Sequence, residues 1–290
     1  MSREVTPALR SLVWKTELDV LPLDRVVEQR SGFLLIRSPS NPAHQWGNLL
    51  LFDRVPLAGD GSRWETLFDQ ALDDEPRVRH RCFAWDRTDG TLGAAAEEFG
   101  GRGYEIETSI GLCADARQLV PHPRENPEVV PRALDPGIGA DTALWNAVVE
   151  LQVADRDDHE DEDGYRSFTR TRLEDLRAQF RAGRGAWYVA IDPATSDVAG
   201  SCGVVVTAGR GRFQLVKTAR AHRRRGICSR LVVETARRAR DDYGAKRFVI
   251  VAEHHALGLY ESLGFERTEK VLGVCLPSRA GSPSSAPLPA

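Results

Sequence analysis

Cysteine is scarce in this sequence and follows no pattern. Cys82, Cys113, Cys202, Cys228 and Cys275 stand singly, five in all. An odd, dispersed set lacks the spacing of a zinc site and the density of a disulfide framework, and it fits reduced thiols in a cytoplasm. Long apolar runs are missing too. No stretch approaches the roughly 20 residues of a membrane-spanning helix, and Met1-Ser2-Arg3-Glu4-Val5-Thr6 lacks the apolar core of a signal peptide. A positive surplus is also absent: 39 Lys and Arg stand against 42 Asp and Glu, a net charge of −3. Phosphate neutralisation wants a basic face, so nucleic acid is not an expected partner. No repeat of 20–50 residues recurs. The expectation is a soluble cytoplasmic protein with no membrane, nucleic-acid or metal partner.

What is present divides the chain. The stretch 115–139 carries five prolines, Pro121, Pro123, Pro127, Pro131 and Pro136. Proline removes backbone donors and restricts its predecessor, so this stretch reads as a linker entering a first strand. From Pro277 onward Pro, Ser and Ala dominate, with little to bury, which reads as disorder. The expected organisation is an N-terminal α+β module over 1–120, a linker over 121–138, a second domain over 128–277 and a disordered tail over 278–290.

In the N-terminal part, Phe33-Leu34-Leu35-Ile36 and Leu49-Leu50-Leu51-Phe52 read as buried strands. Trp64, Leu67, Phe68, Ala71 and Leu72 share one helix face, and a helix near 94–99 precedes an alternating strand at 104–110. In the C-terminal part helices are expected near 142–154 and 167–181, then strands near 186–191, 198–207 and 212–218. A helix over 227–243, a strand over 247–252, a helix over 255–263 and a strand over 269–276 complete it.

Arg223-Arg224-Arg225-Gly226-Ile227-Cys228 falls where a strand passes into the long helix. Three arginines oppose the partial positive charge of a helix N-terminus, and a bound anion would remove the conflict. Unpaired N–H groups of the first turn would face it, and Gly226 would let the backbone approach. The acidic run Asp155–Asp163 holds seven carboxylates in nine residues; Asp157, Asp158 and Glu160 within it are candidates to attract a cationic acceptor. No register of it gives a calcium loop.

Arg223-x-x-Gly226-x-Cys228 resembles the pyrophosphate-binding turn of the GNAT superfamily of acyl-CoA-dependent N-acyltransferases. Leu259-Tyr260-Glu261-Ser262-Leu263-Gly264-Phe265 is similar to that superfamily's closing helix and turn. Thr218, the arginine run and Trp46-Gly47-Asn48 are similar to a two-part bacterial subgroup. The resemblance covers about half the chain. It implies an α+β fold with a mixed, mostly antiparallel sheet flanked by helices, preceded by a smaller module that is a possible degenerate second copy. That module has no Arg-x-x-Gly-x-Gly/Ala turn, so no second cofactor is expected.

The resemblance also implies a chemistry. Acetyl-CoA would be the co-substrate, held by Arg223, Arg224, Arg225, Gly226, Ile227 and Cys228 and by backbone groups of Val216, Lys217 and Thr218. Tyr260 would protonate the departing thiolate. Glu253 is a candidate base beside His222, His254, His255 and water; it stands where many relatives have asparagine. Cys228 replaces the usual Gly or Ala. The acceptor would be an amine, of a small cationic metabolite or, alternatively, of a protein N-terminus or lysine. A non-catalytic acyl-CoA sensor is the remaining alternative, and a homodimer is a possible assembly.

Overall fold

The apolar runs of the N-terminal part become neighbouring strands under a helix whose aromatic face covers them. In the computed structural model, which describes residues 8–156 and 161–277, the first elements are α1 (Leu12–Val20), β1 (Val26–Arg30), β2 (Phe33–Arg37) and β3 (Leu49–Phe52). Then come α2 (Asp60–Ala71), β4 (Arg81–Trp85), α3 (Ala96–Gly101) and β5 (Glu105–Asp115). The Phe52 ring stacks on Trp64 of α2 with centroids 3.7 Å apart, which fixes α2 over β3. The linker contributes only the short β6 (Arg132–Ala133), hydrogen-bonded to the strand that follows the next two helices.

The C-terminal part contains α4 (Thr142–Val153), α5 (Glu162–Arg181), β7 (Gly185–Ile191), β8 (Val198–Thr207) and β9 (Arg210–Thr218). It ends with α6 (Ile227–Tyr243), β10 (Arg247–Ala252), α7 (Leu257–Ser262) and β11 (Glu266–Leu276). Helix α5 begins earlier than the periodicity predicts, because the end of the acidic run belongs to it. Asp161 caps it by accepting the Gly164 N–H at 2.7 Å, and Glu162 and Asp163 suit the positive end of the helix.

Among the described residues eleven strands form one sheet in the order β1-β2-β3-β4-β11-β5-β10-β9-β8-β7-β6. β3 with β4 and β9 with β10 are parallel; the other neighbours are antiparallel. The two halves repeat one plan. A parallel pair is bridged by a helix (α2 or α6), a short helix follows (α3 or α7), and an eleven-residue strand closes (β5 or β11). The closing strands are exchanged: β11 lies against β4, β5 lies against β10, and the two pair with each other. The segments on either side of the linker therefore share one sheet, and the C-terminal strands are completed by a strand from the N-terminal half.

Helices α2, α3, α6 and α7 cover one face of this sheet, and α1, α4 and α5 cover the other. Across the second face a buried charge network ties the halves together. Glu17 of α1 meets Arg212 of β9 at 3.1 Å, and Arg172 of α5 donates to the Gln214 side chain at 2.9 Å and to the Val20 carbonyl at 3.0 Å.

The cysteine expectation needs correction. Cys82 of β4 and Cys275 of β11 are directly opposed in the ladder, with Cα atoms 4.3 Å apart, and are joined as a disulfide. Their separation of 193 residues hid the pairing, which exists only because β11 crosses into the N-terminal half. Cys113, Cys202 and Cys228 are free.

Candidate active site

β9 and β10 begin as a parallel pair and then part. Their ladder covers only Arg247–Val249 against Arg210–Arg212. Past it, β10 stays bonded to β5 and β9 to β8, so a wedge opens between them. A bulge assists on β9: the register with β8 shifts between Ser201 and Gly203, and Leu215 takes a left-handed φ of 50°. Gln152 of α4 donates to the Leu215 carbonyl at 3.0 Å and holds the bulge in place. The backbone of Val216, Lys217 and Thr218 thus presents an edge without a strand partner toward the wedge, among the described residues.

A cavity of about 490 Å³ fills this wedge. One wall is the β9 edge; another is the N-terminus of α6, with Gly226, Ile227, Cys228 and Ser229 facing in. Among the described residues no side chain caps that seventeen-residue helix. Its first-turn N–H groups are free donors at the positive end of the dipole, the arrangement that binds phosphate. Gly226 sits at φ 73°, and a Cβ there would meet the Arg124 carbonyl and come within 2.8 Å of Asn126 N. The glycine is needed because the linker backbone packs on it, a reason different from close approach to a phosphate.

The arginines also differ from expectation. Arg223 and Lys217 both bind Asp155, the latter at 2.8 Å, and Arg220 reaches the same carboxylate at 3.3 Å. Arg225 pairs with Asp192 at 3.3 Å, alongside His222 at 3.0 Å. Arg224 alone of the three makes no ion pair among the described residues. The conflict at the helix end is therefore largely relieved from within. Burial pushes the Asp155 carboxyl up, but Lys217 and Arg223 outweigh it and hold it below the usual range. An incoming pyrophosphate competes with Asp155 for Arg223. Asp155→Asn is accordingly expected to tighten acetyl-CoA binding about two- to fivefold, the scale of a partly exposed ion pair, and to steepen its salt dependence. Calorimetry at low and moderate salt measures both, and weakened binding would assign Asp155 an ordering role instead.

Tyr260 of α7 enters the cavity from the β10 side with only 2% of its surface exposed, its ring edge-on to Phe265 at 6.1 Å. Burial, with Cys228 and Cys202 adding to it, raises its phenol well above the ordinary value. The phenol keeps its proton at neutral pH and can donate it. Burial also pushes the Cys228 thiol up to about 11, so it stays uncharged.

Glu253 follows β10 at the cavity mouth, largely exposed, and meets His255 at 3.3 Å. His222 also lines the cavity, but its ring is committed to Asp192. Asp157, Asp158 and Glu160 lie outside the described residues. Sequence reasoning missed Gln152 of α4 and Tyr165 of α5, and it did not single out Asp155 within the acidic run; all three line the cavity. A glutamine within the otherwise apolar face of α4 was the available signal for Gln152. Among the described residues, no group of three or more His, Cys, Asp or Glu is placed to hold a metal ion, and no helix is long and apolar enough to cross a membrane.

Residues 183–267 match the family model of the acetyltransferase (GNAT) domain. That span runs from the turn before β7 to the start of β11 and contains the wedge, the α6 turn and Tyr260. No curated protein matches the sequence. Among solved structures, a functionally unknown conserved protein from Staphylococcus epidermidis aligns with a TM-score of 0.68 at 13% identity, over 88% of this chain and 95% of its own. A GCN5-related N-acetyltransferase from Kribbella flavida aligns at 0.59 and 11%, over 92% and 96%. A tandem GNAT protein from the clavulanic acid biosynthesis pathway aligns at 0.54 and 14%, over 92% and 88%. At such identities the likeness is one of fold. Residues 183–267 thus match a GNAT acetyltransferase domain, their sheet continues into an N-terminal half that repeats the same plan, and the fold of the chain is like that of a tandem GNAT protein. This fold supports acyl-CoA-dependent acetyl transfer, with acetyl-CoA as the implied co-substrate.

Proposed function

We propose that the chain moves an acetyl group from acetyl-CoA directly to the primary amine of a small, cationic metabolite. The observation that carries this reading is the cavity itself, which joins an uncapped helix N-terminus, an unpaired strand edge and a buried, protonated Tyr260. Val216, Lys217 and Thr218 suit the pantetheine arm through backbone groups; the α6 turn and Arg224 suit the pyrophosphate. Transfer needs a donor for the developing oxyanion and a proton for the thiolate, and the β9 edge and Tyr260 can supply them.

Two features favour a small acceptor. The N-terminal half packs against α5, whose Tyr165 lines the cavity, with His44 and Phe168 rings 6.0 Å apart and Asn41 donating to Asp175 at 3.1 Å, so the α5 wall is backed rather than free to open. Glu253 lines the cavity, and the acidic sequence run 155–163 begins at Asp155 on its wall, which favours a cation. Neutralising Asp157, Asp158 and Glu160 together is expected to raise the acceptor KM several-fold and flatten its salt dependence, with acetyl-CoA affinity little changed. An unaltered KM would remove these residues from acceptor capture.

The test of the reading is CoA release from acetyl-CoA with polyamines, amino acids, aminoglycosides and peptides. Turnover with small amines supports it. Turnover with peptides alone would make the chain a protein acetyltransferase, and saturable acetyl-CoA binding without any turnover would make it a sensor.

A further inference from the structure

The exchange of closing strands places a residue of the N-terminal half near Glu253, which lines the acetyl-transfer cavity. β5 pairs with β10 as far as Ile110 opposite Ala252. Glu253 is the next residue of β10's path, and Glu107 lies three residues further along β5 in that direction. Both point to the α1 side of the sheet. Val251, two before Glu253, packs in the cluster containing Val13 and Trp14, and a Cβ on Gly111, opposite Val251, would touch Val13. Alternation along the strands carries Glu253 and Glu107 to that same face. In a regular ladder they are diagonal neighbours, within about 7–8 Å.

The Glu107 side chain is half-buried and has no hydrogen bond or ion pair among the described residues. Opposite it on β11 is Gly273, over which the Trp46 ring lies. The charged groups that act on it are both negative: Glu105 on its own strand and Glu253 from the end of β10. Glu269, further along β11, is committed to the N–H groups of Leu12 and Val13. A carboxylate held among carboxylates without a cation, one of them (Glu253) lining the cavity, is an incomplete arrangement. A positive group completes it.

We propose that Glu107 joins Glu253 to form the acceptor subsite, the two carboxylates holding the acceptor's ammonium group and Glu107 taking its proton before attack. This rests on the transferase reading above and adds a chemical role for the N-terminal half. The ammonium gives one proton to the Glu107 carboxylate. The neutral nitrogen then forms its bond to the acetyl carbonyl carbon, and the carbon–sulfur bond breaks. The thiolate takes the Tyr260 proton, the amide nitrogen's second proton restores the phenol through solvent, and Glu107 releases its proton to water. Overall, ammonium and thioester give amide, thiol and one proton. Burial, with Glu105 and Glu253 adding to it, pushes the Glu107 carboxyl up to about 7, where it can both accept and release a proton at neutral pH.

The test uses the full chain with putrescine and spermidine as acceptors, comparing wild type, Glu107→Gln, Glu107→Asp and Glu253→Gln. In wild type, kcat/KM is expected to rise with pH through about 7 as Glu107 loses its proton. Glu107→Gln is expected to lose that limb and about tenfold to a hundredfold in kcat/KM, less than full base catalysis because Glu253 remains. Glu107→Asp should recover part of the rate, and acetyl-CoA affinity should be unchanged in every variant. Carbon-13 titration of glutamate carboxyls, without any acceptor, should show a group near 7 that vanishes in Glu107→Gln and moves down in Glu253→Gln. Wild-type turnover beside an unaffected Glu107→Gln, or no such titrating carboxyl, overturns this proposal alone. Loss of acetyl-CoA affinity in Glu107→Gln makes the residue structural and also overturns it. A wild type that releases no CoA with either amine overturns the cationic-amine reading on which it rests.

Discussion

Replacing Tyr260 with phenylalanine is expected to lower kcat by about 10²–10⁴-fold, the usual worth of general-acid assistance. The substitution keeps the ring and its contact with Phe265 and removes the one transferable proton that α7 brings into the cavity. Stability and acetyl-CoA affinity should therefore survive. The raised phenol pKa sets the sign of the pH response: the wild-type acid limb lies well above neutrality, so the deficit should be nearly constant from pH 6 to 9. A donor with a more acidic thiol needs less help in leaving, so the deficit should shrink with it. Steady-state rates for both donors, wild type against variant, decide the matter. An equal deficit for both would mean that the hydroxyl positions the donor rather than protonating it.

Gly226→Val is expected to destabilise the chain by roughly 2–5 kcal/mol and abolish saturable acetyl-CoA binding. A side chain in the left-handed region costs about 1–2 kcal/mol, and overpacking adds about 1–3 more. The overpacking is specific: the new Cβ would press on the backbone of Arg124–Asn126, and Asn126 N–H donates to the Gly226 carbonyl at 3.1 Å. The linker and the α6 turn would move apart together, spoiling the row of N–H groups. Gly226→Ala should show most of the strain with the smallest side chain. Thermal unfolding and calorimetry report the two losses separately, and a variant with unchanged Tm would show that the linker does not brace this turn.

Local signals made the C-terminal half readable. Helix α6 was placed to the residue because Gly226 and Gly244, both left-handed, bracket an amphipathic run. The α6 turn and Tyr260 were recognisable because their spacing is contiguous in sequence. Elements fixed by distant partners were not. Helix α1 buries Trp14, Thr16 and Glu17 alike, so it shows no clean apolar stripe, and beyond its local Ser11 cap its start is held by Asp86 and Glu269 from far along the chain. Strand β4 is short and flanked by charges, and its partner in one direction is the last strand described. Within the site, the charge conflict of the arginine run was visible, but Asp155 and Asp192 could not be matched to Arg223 and Arg225 before folding. Glu107 belonged, by sequence, to the wrong half.

The interleaved order β4-β11-β5-β10 also bears on how the chain matures during synthesis. Once residues 1–120 have left the ribosome, β3 and β4 can form their parallel pair, yet the other edge of β4 has no partner until residues 266–276 emerge. Throughout translation of the C-terminal half, an open, apolar strand edge stands exposed, the kind of template that recruits other chains. β5 waits in the same way for β10. A nascent chain severed after the linker would keep both edges unsatisfied, and one started at the linker would leave β10 and β11 with the strand between them missing. The two halves, although built on one plan, each lend a closing strand to the other's part of the sheet.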